Sequence, residues 1–213
     1  YDLTLITIAT ENKKTVALTA KLFLTLFLLS LAIACTKKEK KILVFSKTEG
    51  YRHTSIEAGI EALKKLGAEN GFKVTATEDA RYFEEDSLKQ YAAVVFLSTS
   101  GDILDDLQQA DLERFIQAGG GFVGIHESVT SEPDWPWYYK LVGAHFDGHA
   151  KVQEATLNII DKNHPSTSSL EPIWVKTDEW YNFKDIDPDI KVVIEVDEDS
   201  YEGGKNGAHH PIS

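Results

Sequence analysis

Histidines, carboxylates and tyrosines that could exchange protons or bind a ligand lie at several places in the sequence, near the ends of predicted strands or the starts of predicted helices. Imidazole gains and loses a proton near neutral pH, and the neutral ring is a common metal ligand. We expect catalysis from His126, His53, His149 and Glu179, and ligand contacts from Tyr51, Arg52, Glu127, Tyr181 and His210. The pattern therefore indicates acid/base or metal-assisted chemistry.

The segment Gly124–Ser128 has the order expected of a nucleophile elbow, in which a strand turns sharply into a helix and exposes one side chain above the sheet. His126 occupies the exposed position. Histidine is a poor acyl acceptor, but it can act as a base or as a metal ligand. Two alternatives stay open: Ser128 as a nucleophile, and His126 as a structural residue bonded to the adjoining backbone.

His53 ends the polar segment Ser46–His53, which follows a predicted strand and leads into a predicted helix. The start of a helix carries free amides and a positive dipole, and therefore favours anionic or hydroxyl-rich ligands. We expect His53 to act there as an acid/base group or a metal ligand. The alternative is a histidine that only hydrogen-bonds to nearby backbone.

His145, Asp147 and His149 lie within one short loop, and this combination suits a divalent metal bound by imidazole and carboxylate. Their spacing matches no common zinc motif. Across the chain the metal-ligand candidates are His53, His126 and His149, and the identity of the metal stays open.

Glu179 and Tyr181 lie in the segment Thr177–Asn182, where two carboxylates and two aromatic rings follow a predicted strand. Aromatic faces beside acidic groups suit a sugar ring, although solvated acids beside core aromatics give the same pattern. His210, near the end of the sequence, would either complete the site or belong to an ordinary loop.

Short apolar runs alternate with helical patterns from residue 41 onward, which is typical of parallel α/β layering. The predicted strands are 41–46, 72–77, 92–97 and 122–125, followed by 152–160, 173–177 and 191–196. Parallel strands gather their functional loops at one edge of the sheet. We therefore expect the candidate residues to meet there.

The predicted helices have recognisable starts and ends. A capping box at Thr54–Glu57 should open a helix that stops at Gly67, a short helical stretch covers 86–91, and a further helix covers Asp105–Ala118. In this last helix Leu107, Leu112, Phe115 and Ile116 should face inward. Residues 130–149 should form an irregular, aromatic loop.

The charge of the chain excludes one class of partner. The formal net charge is −12, and no basic stripe offsets it, so we expect no nucleic-acid binding. The single cysteine excludes an internal disulfide framework, and the oligomeric state is left open.

The N-terminal region is typical of an export signal. Three lysines precede the apolar run Leu22–Ala34, which is too short to span a bilayer comfortably and ends at Cys35. We expect residues 1–35 to be a lipoprotein signal with Cys35 acylated, residues 36–40 to be a tether, and residues 41–213 to be the exported domain, held at a bacterial membrane by the lipid alone. An uncleaved anchor and a buried helix are the alternatives. Because methionine is absent and the chain stops after a glycine-rich turn, we also expect this domain to be truncated at its C-terminus.

Several phrases, taken in order, resemble the ThuA-like (trehalose utilisation) family of the class I glutamine amidotransferase-like superfamily. They are Gly50–Ser55, Gly119–His126, Leu141–Gly143 with Phe146 and His149, His164–Pro165, Asp178–Glu179 with Tyr181, and His210–Pro211. The resemblance covers residues 41–213. It implies a flavodoxin-like three-layer α/β sandwich with a mainly parallel central sheet.

The resemblance also bounds the function. Amidotransferases of the superfamily carry a cysteine at the elbow, whereas this chain has His126 there, so thiol chemistry on glutamine is excluded. ThuA-like proteins are associated with the use of trehalose and related disaccharides. We expect an exported protein that acts on a sugar or an oxidised (keto) disaccharide derivative, as a hydrolase, lyase or isomerase. The alternative is a non-catalytic carbohydrate-binding or interaction module.

Overall fold

The computed structural model describes residues 39–213. In chain order the strands of this part are β1 (Lys40–Phe45), β2 (Phe72–Thr77), β3 (Ala93–Leu97), β4 (Gly121–Ile125), β5 (His145–His149), β6 (Gln153–Ile159), β7 (Ile173–Asp178), β8 (Tyr181–Lys184), β9 (Ile194–Asp197) and β10 (His210–Pro211). The α-helices are α1 (Ile56–Asn70), α2 (Glu85–Leu88), α3 (Asp106–Gln117) and α4 (Pro136–Val142).

The central sheet has the order β2-β1-β3-β4, and every neighbouring pair in it is parallel. This is the strand order of the flavodoxin-like fold, whose ligands bind at the carboxyl edge where the order reverses. The four predicted strands at 41–46, 72–77, 92–97 and 122–125 are therefore confirmed, as is the flavodoxin-like α/β fold.

The inner strands β1 and β3 are apolar over residues 42–45 and 93–97 because helices cover both faces of the sheet. On one face Phe45 and Phe96 pack with Leu112 of α3, and on the other Val44 and Val95 pack with the first residues of α1. Successive side chains of each strand therefore enter different cores, and the three layers follow from this alternation.

The predicted helix limits need correction at α1. Its N-cap is Ser55, whose side chain makes no capping hydrogen bond, so the predicted capping box at Thr54–Glu57 is wrong. The helix also passes Gly67 and ends at Gly71, which has a left-handed φ of 72°. Gly67 lies inside the helix. A larger residue does not fit there, because a Cβ atom would come within 2.6 Å of the Phe72 carbonyl oxygen. Close packing, and not helix termination, explains this glycine.

Helix α3 confirms the prediction at Asp105–Ala118 and contains a true capping box, formed by Asp105 and Gln108. The predicted set of inward-facing residues is wrong at Leu107, whose side chain is 78% exposed. The short helical stretch is also confirmed, although α2 covers only Glu85–Leu88.

Residues 130–149 are more regular than predicted. They contain α4 and then β5, which pairs in antiparallel fashion with β8 to form a separate two-stranded sheet. The remaining strands form a four-stranded antiparallel sheet in the order β10-β9-β6-β7. The predictions at 152–160 and 173–177 are confirmed, and the strand predicted at 191–196 begins later, at Ile194.

The predicted lipoprotein signal at 1–35, including Cys35, lies outside the described residues, as does most of the predicted tether at 36–40. The tether extends one residue too far, because Lys40 already belongs to β1. Between residues 39 and 213, no helix combines the length and apolar character that crossing a bilayer would require.

Candidate active site

The turn after β4 places His126 at the carboxyl edge of the central sheet. His126 has a φ of 54°, a left-handed conformation that is uncommon outside glycine and concentrates at functional sites. A 3-10 helix, His126–Thr130, follows directly. The turn is tight, since a Cβ atom at Gly124 would lie 2.7 Å from the Ser128 hydroxyl. This is the elbow geometry that the sequence predicted, with Ser128 buried beneath it.

His53 meets His126 across this edge, as expected for loops that follow parallel strands of one sheet. The two imidazole rings are edge to face, with centroids 4.4 Å apart. The His53 Nε2 donates to the Glu127 carboxylate at 3.1 Å, and both side chains are largely buried.

The loop between β7 and β8 supplies the opposite wall of the site. The Tyr181 hydroxyl donates to Glu127 at 2.6 Å and lies 3.3 Å from the His126 Nε2. A carboxylate oxygen of Glu179 lies 3.4 Å from the same nitrogen. The segment between β7 and β8, with the first residue of β8, therefore contributes a carboxylate and a phenol to the elbow after β4.

Glu127 is the hydrogen-bonding centre of the cluster. Its carboxylate accepts from Tyr181, from His53 and from the Thr130 hydroxyl. Burial alone would raise the pKa of Glu127, but these three donors outweigh it and hold the pKa below its ordinary value. Glu127 is therefore an ionised acceptor whose oxygens are already occupied.

The pKa values of His126 and Tyr181, which lie beside Glu127, are shifted in directions that suit proton transfer. Burial lowers the pKa of His126, and the neighbouring His53 lowers it further, although the nearby Glu179 partly opposes this. Burial also raises the pKa of Tyr181, as does its hydrogen bond to Glu127. At neutral pH His126 is therefore a neutral base, while Tyr181 keeps its proton.

His149 lies one layer behind these groups. Its ring stacks on Tyr181 with centroids 5.5 Å apart, and its Nδ1 donates to the Ala150 carbonyl. The carboxylate that joins the two central histidines is Glu179: potential ligand atoms of His53, His126 and Glu179 all lie within 4.8 Å of one another. Two imidazoles and one carboxylate fit a divalent transition metal, so this set and not His149 forms the candidate metal group.

The predicted ligand-contact residues lie in different parts of the structure. Tyr51 is 67% exposed at the rim, edge to face with His53. Arg52 is bound by Glu57 and Glu78. His210 is fully buried and contacts the backbone carbonyl of Tyr181 and not the Tyr181 ring, so it lies behind the site. Glu127 and Tyr181 occupy the centre.

A cavity of about 650 Å³ opens beside the elbow and is large enough for a small ligand. His126, Glu179 and Tyr181 line its polar part, and residues such as Leu141 and Phe183 line its apolar part. Sequence reasoning missed one contributor, Thr130, although its position three residues after Glu127 is the spacing of one helical turn.

Comparisons with known proteins agree with this architecture. A family model described as trehalose utilisation (ThuA) matches residues 41–213. No curated protein sequence matches the chain. A ThuA-like protein from Bacteroides uniformis ATCC 8492 superposes with a TM-score of 0.71 at 22% identity, over 84% of this chain and 78% of that one.

A second ThuA-like protein, from Parabacteroides merdae ATCC 43184, superposes with a TM-score of 0.61 at 19% identity, over 75% of this chain and 68% of that one. Identities this low show a shared fold, whereas the family model spans nearly all the described residues. The chain therefore belongs to the ThuA (trehalose utilisation) family.

Proposed function

We propose that this protein binds a neutral sugar or an oxidised (keto) sugar derivative beside the elbow and exchanges a proton with it through His126. The observation that carries this proposal is the position of His126: a left-handed turn presents its imidazole at the sheet edge, with Tyr181 and Glu179 at its Nε2.

Elimination among the neighbouring groups favours His126 as the base. Glu127 already accepts from three donors, which hold it ionised and make it a weak base, and Tyr181 is itself a donor to that carboxylate. The Nε2 of His53 is committed to Glu127 as well. Among the described residues, no group hydrogen-bonds to the Nδ1 of His126.

The partners at Nε2 define how His126 would work. The Tyr181 proton is directed to Glu127, so both the Tyr181 oxygen and the Glu179 carboxylate can accept from Nε2–H. This favours the tautomer with its proton on Nε2 and leaves Nδ1 free to take a proton from the ligand. Glu179 would then stabilise the imidazolium, as a carboxylate does in a catalytic triad.

A keto sugar offers an acidic proton to this base. His126 would take the proton from the carbon beside the carbonyl, and the electrons of the broken C–H bond would move to the carbonyl oxygen. Returning the proton at the same carbon, at the neighbouring carbon or to a leaving oxygen gives exchange, isomerisation or elimination respectively.

The charges around the site favour a neutral ligand. Glu127, Glu179 and Asp178 surround it, and the pKa of Asp178 is lowered: burial opposes this, but the ion pair with Lys176 prevails. Phosphorylated or carboxylated sugars would be repelled by these groups. The ring of Tyr51, which is 67% exposed, suits stacking on a sugar ring, whereas the Tyr181 hydroxyl can only offer a polar contact.

A metal-assisted version is favoured by the group His53, His126 and Glu179. A bound divalent metal would act as a Lewis acid and acidify a water molecule. In that version the same three side chains would serve as ligands, while Glu127 and Tyr181 would orient them.

The test uses trehalose, related disaccharides and their keto forms in D₂O. Nuclear magnetic resonance should detect replacement of hydrogen by deuterium beside the carbonyl, with or without further conversion. A chelator should stop the reaction if a metal takes part and spare it otherwise. The variant His164→Ala, in a half-buried position outside the cluster, is the matched control and should react like wild type. Saturable sugar binding without exchange would replace this proposal with a non-catalytic carbohydrate-binding module.

We also propose that the protein is exported and acylated at Cys35, because lysines and a short apolar run precede this only cysteine. Metabolic labelling with a fatty-acid probe should tag the chain in cells. Cys35→Ala should remove the label, whereas Thr36→Ala should retain it. Labelling that survives Cys35→Ala would contradict the proposal.

A further inference from the structure

His210 occupies a fully buried position in β10 and connects two parts of the molecule. Its Nε2 lies 2.6 Å from the Tyr181 carbonyl oxygen. Its Nδ1 lies 2.7 Å from a carboxylate oxygen of Glu198, with the Tyr201 hydroxyl at 3.2 Å. The Nε2 edge of the ring thus contacts the strand that carries Tyr181, and the Nδ1 edge contacts a carboxylate.

Both principal partners of this ring are acceptors. A backbone carbonyl cannot donate, so Nε2–H donates to Tyr181. Burial opposes ionisation of Glu198, but the backbone N–H groups of Asn206 and Gly207, together with His210, hold its pKa below the ordinary value. The Nδ1 side of the ring therefore lies against an ionised carboxylate, and the Nε2–H bond to Tyr181 fixes the orientation of the ring.

The segment between Glu198 and His210 also hydrogen-bonds to the two residues of β8 that follow Tyr181. The Asn182 side chain donates to the Gly203 carbonyl and accepts from the Lys205 N–H. The Asn206 side chain bonds to both the N–H and the carbonyl of Phe183. Three consecutive residues of β8 are thus fixed from this one segment.

This support matters because β8 pairs only with β5 among the described strands, and a two-stranded ladder is weak alone. The register of that ladder also shifts between Phe146 and His149, opposite the start of β8. The Tyr181 ring therefore depends on contacts outside its own sheet for its position beside His126 and Glu127.

We propose that His210 is a positioning residue: by donating from Nε2 to the Tyr181 carbonyl, with Glu198 behind it, it sets the Tyr181 ring against His126 and Glu127. The catalytic consequence rests on the proposed function, but the placement of the ring does not. His210 touches no ligand and acts only through Tyr181.

Two amide replacements test this mechanism. The amide nitrogen of glutamine matches the Nε2 position and keeps the donor to Tyr181, whereas that of asparagine matches Nδ1 and keeps only the donor to Glu198. His209→Gln, at the neighbouring side chain that is 89% exposed, is the control. The readout is the nuclear Overhauser effect between the Tyr181 and His126 rings, whose centroids are 4.9 Å apart.

We expect His210→Gln to retain this ring-to-ring signal and His210→Asn to lose most of it, while His209→Gln leaves it unchanged. In the wild-type protein, nitrogen resonances of His210 should show a proton on Nε2, which faces the Tyr181 carbonyl oxygen. Equal signals in the Gln and Asn variants, or a bare Nε2 in the wild type, would overturn the proposal. Because neither readout needs a substrate, a failed sugar assay leaves this result intact.

Discussion

Replacing His126 by asparagine should lower the rate of deuterium exchange into a keto-sugar substrate by about 10²–10⁴-fold, the usual contribution of a positioned acid/base group. Asparagine tolerates the left-handed conformation that His126 adopts, with its φ of 54°, so the turn should persist. Exchange rates by nuclear magnetic resonance and thermal unfolding of the same samples check both statements. A folded variant that keeps more than about a tenth of the wild-type rate would exclude His126 as the base.

The pH dependence of the same reaction has a definite sign. A base works in its deprotonated form, and burial together with His53 lowers the pKa of His126 below the ordinary 6.5. The rate should therefore rise with pH and reach its plateau below the range expected of an exposed histidine. Glu179→Gln removes a charge that raises this pKa, so the profile should move to lower pH. His53→Gln removes a group that lowers it, and the profile should move to higher pH.

The central sheet was predictable because its inner strands β1 and β3 are apolar over residues 42–45 and 93–97, with side chains buried on both faces. Phe45 and Val44, for example, enter opposite cores, so neither position tolerates a polar side chain. The second sheet could be predicted as strands but not as a separate antiparallel unit. In β7, the neighbouring residues Trp174 and Val175 are both exposed. Burial therefore imposes no alternation of apolar and polar residues, and the sequence does not reveal which strand pairs with β7 or in which direction.

The first half of the candidate site was predictable for a geometric reason. His53 and His126 follow strands of one parallel sheet, and such positions converge at its carboxyl edge. Glu179 and Tyr181 were also expected in the site, but they lie outside the central sheet, and no local pattern specifies the packing between sheets that brings them to His126. His210 shows the same limit, because its buried contact with the Tyr181 backbone spans a sequence separation of 29 residues.

Glu132 had no signal in the sequence, yet it supports the elbow. Its side chain is almost fully buried, and its φ is 55°. One carboxylate oxygen accepts from the backbone N–H groups of Ile103 and Leu104, at 3.0 and 2.9 Å, and the other accepts from the Gln109 amide. Glu132 therefore ties the loop after β3 to the segment that follows the His126–Thr130 turn.

Glu132→Ala should lower the free energy of unfolding by about 3–5 kcal/mol, because two buried backbone donors and one amide lose their partner together. Glu132→Gln should cost much less, since its oxygen can still accept both backbone N–H groups and Gln109 can reverse its amide. Urea unfolding measures both, with the exposed Glu171→Ala as a control that should stay within about 0.5 kcal/mol of wild type.

The same two variants predict a pH signature that depends on the buried carboxyl group. Burial raises the pKa of Glu132 above the ordinary 4.5, so above that value the folded protein binds more protons than the unfolded chain. Stability must then fall as pH rises through this range, by linkage. Glu132→Gln cannot titrate and should lose this component, so the stability of wild type relative to Glu132→Gln should decrease from pH 4 to pH 7. A difference that grows in favour of wild type would mean that hydrogen bonding to the ionised carboxylate outweighs burial, and a constant difference would mean that the two effects cancel.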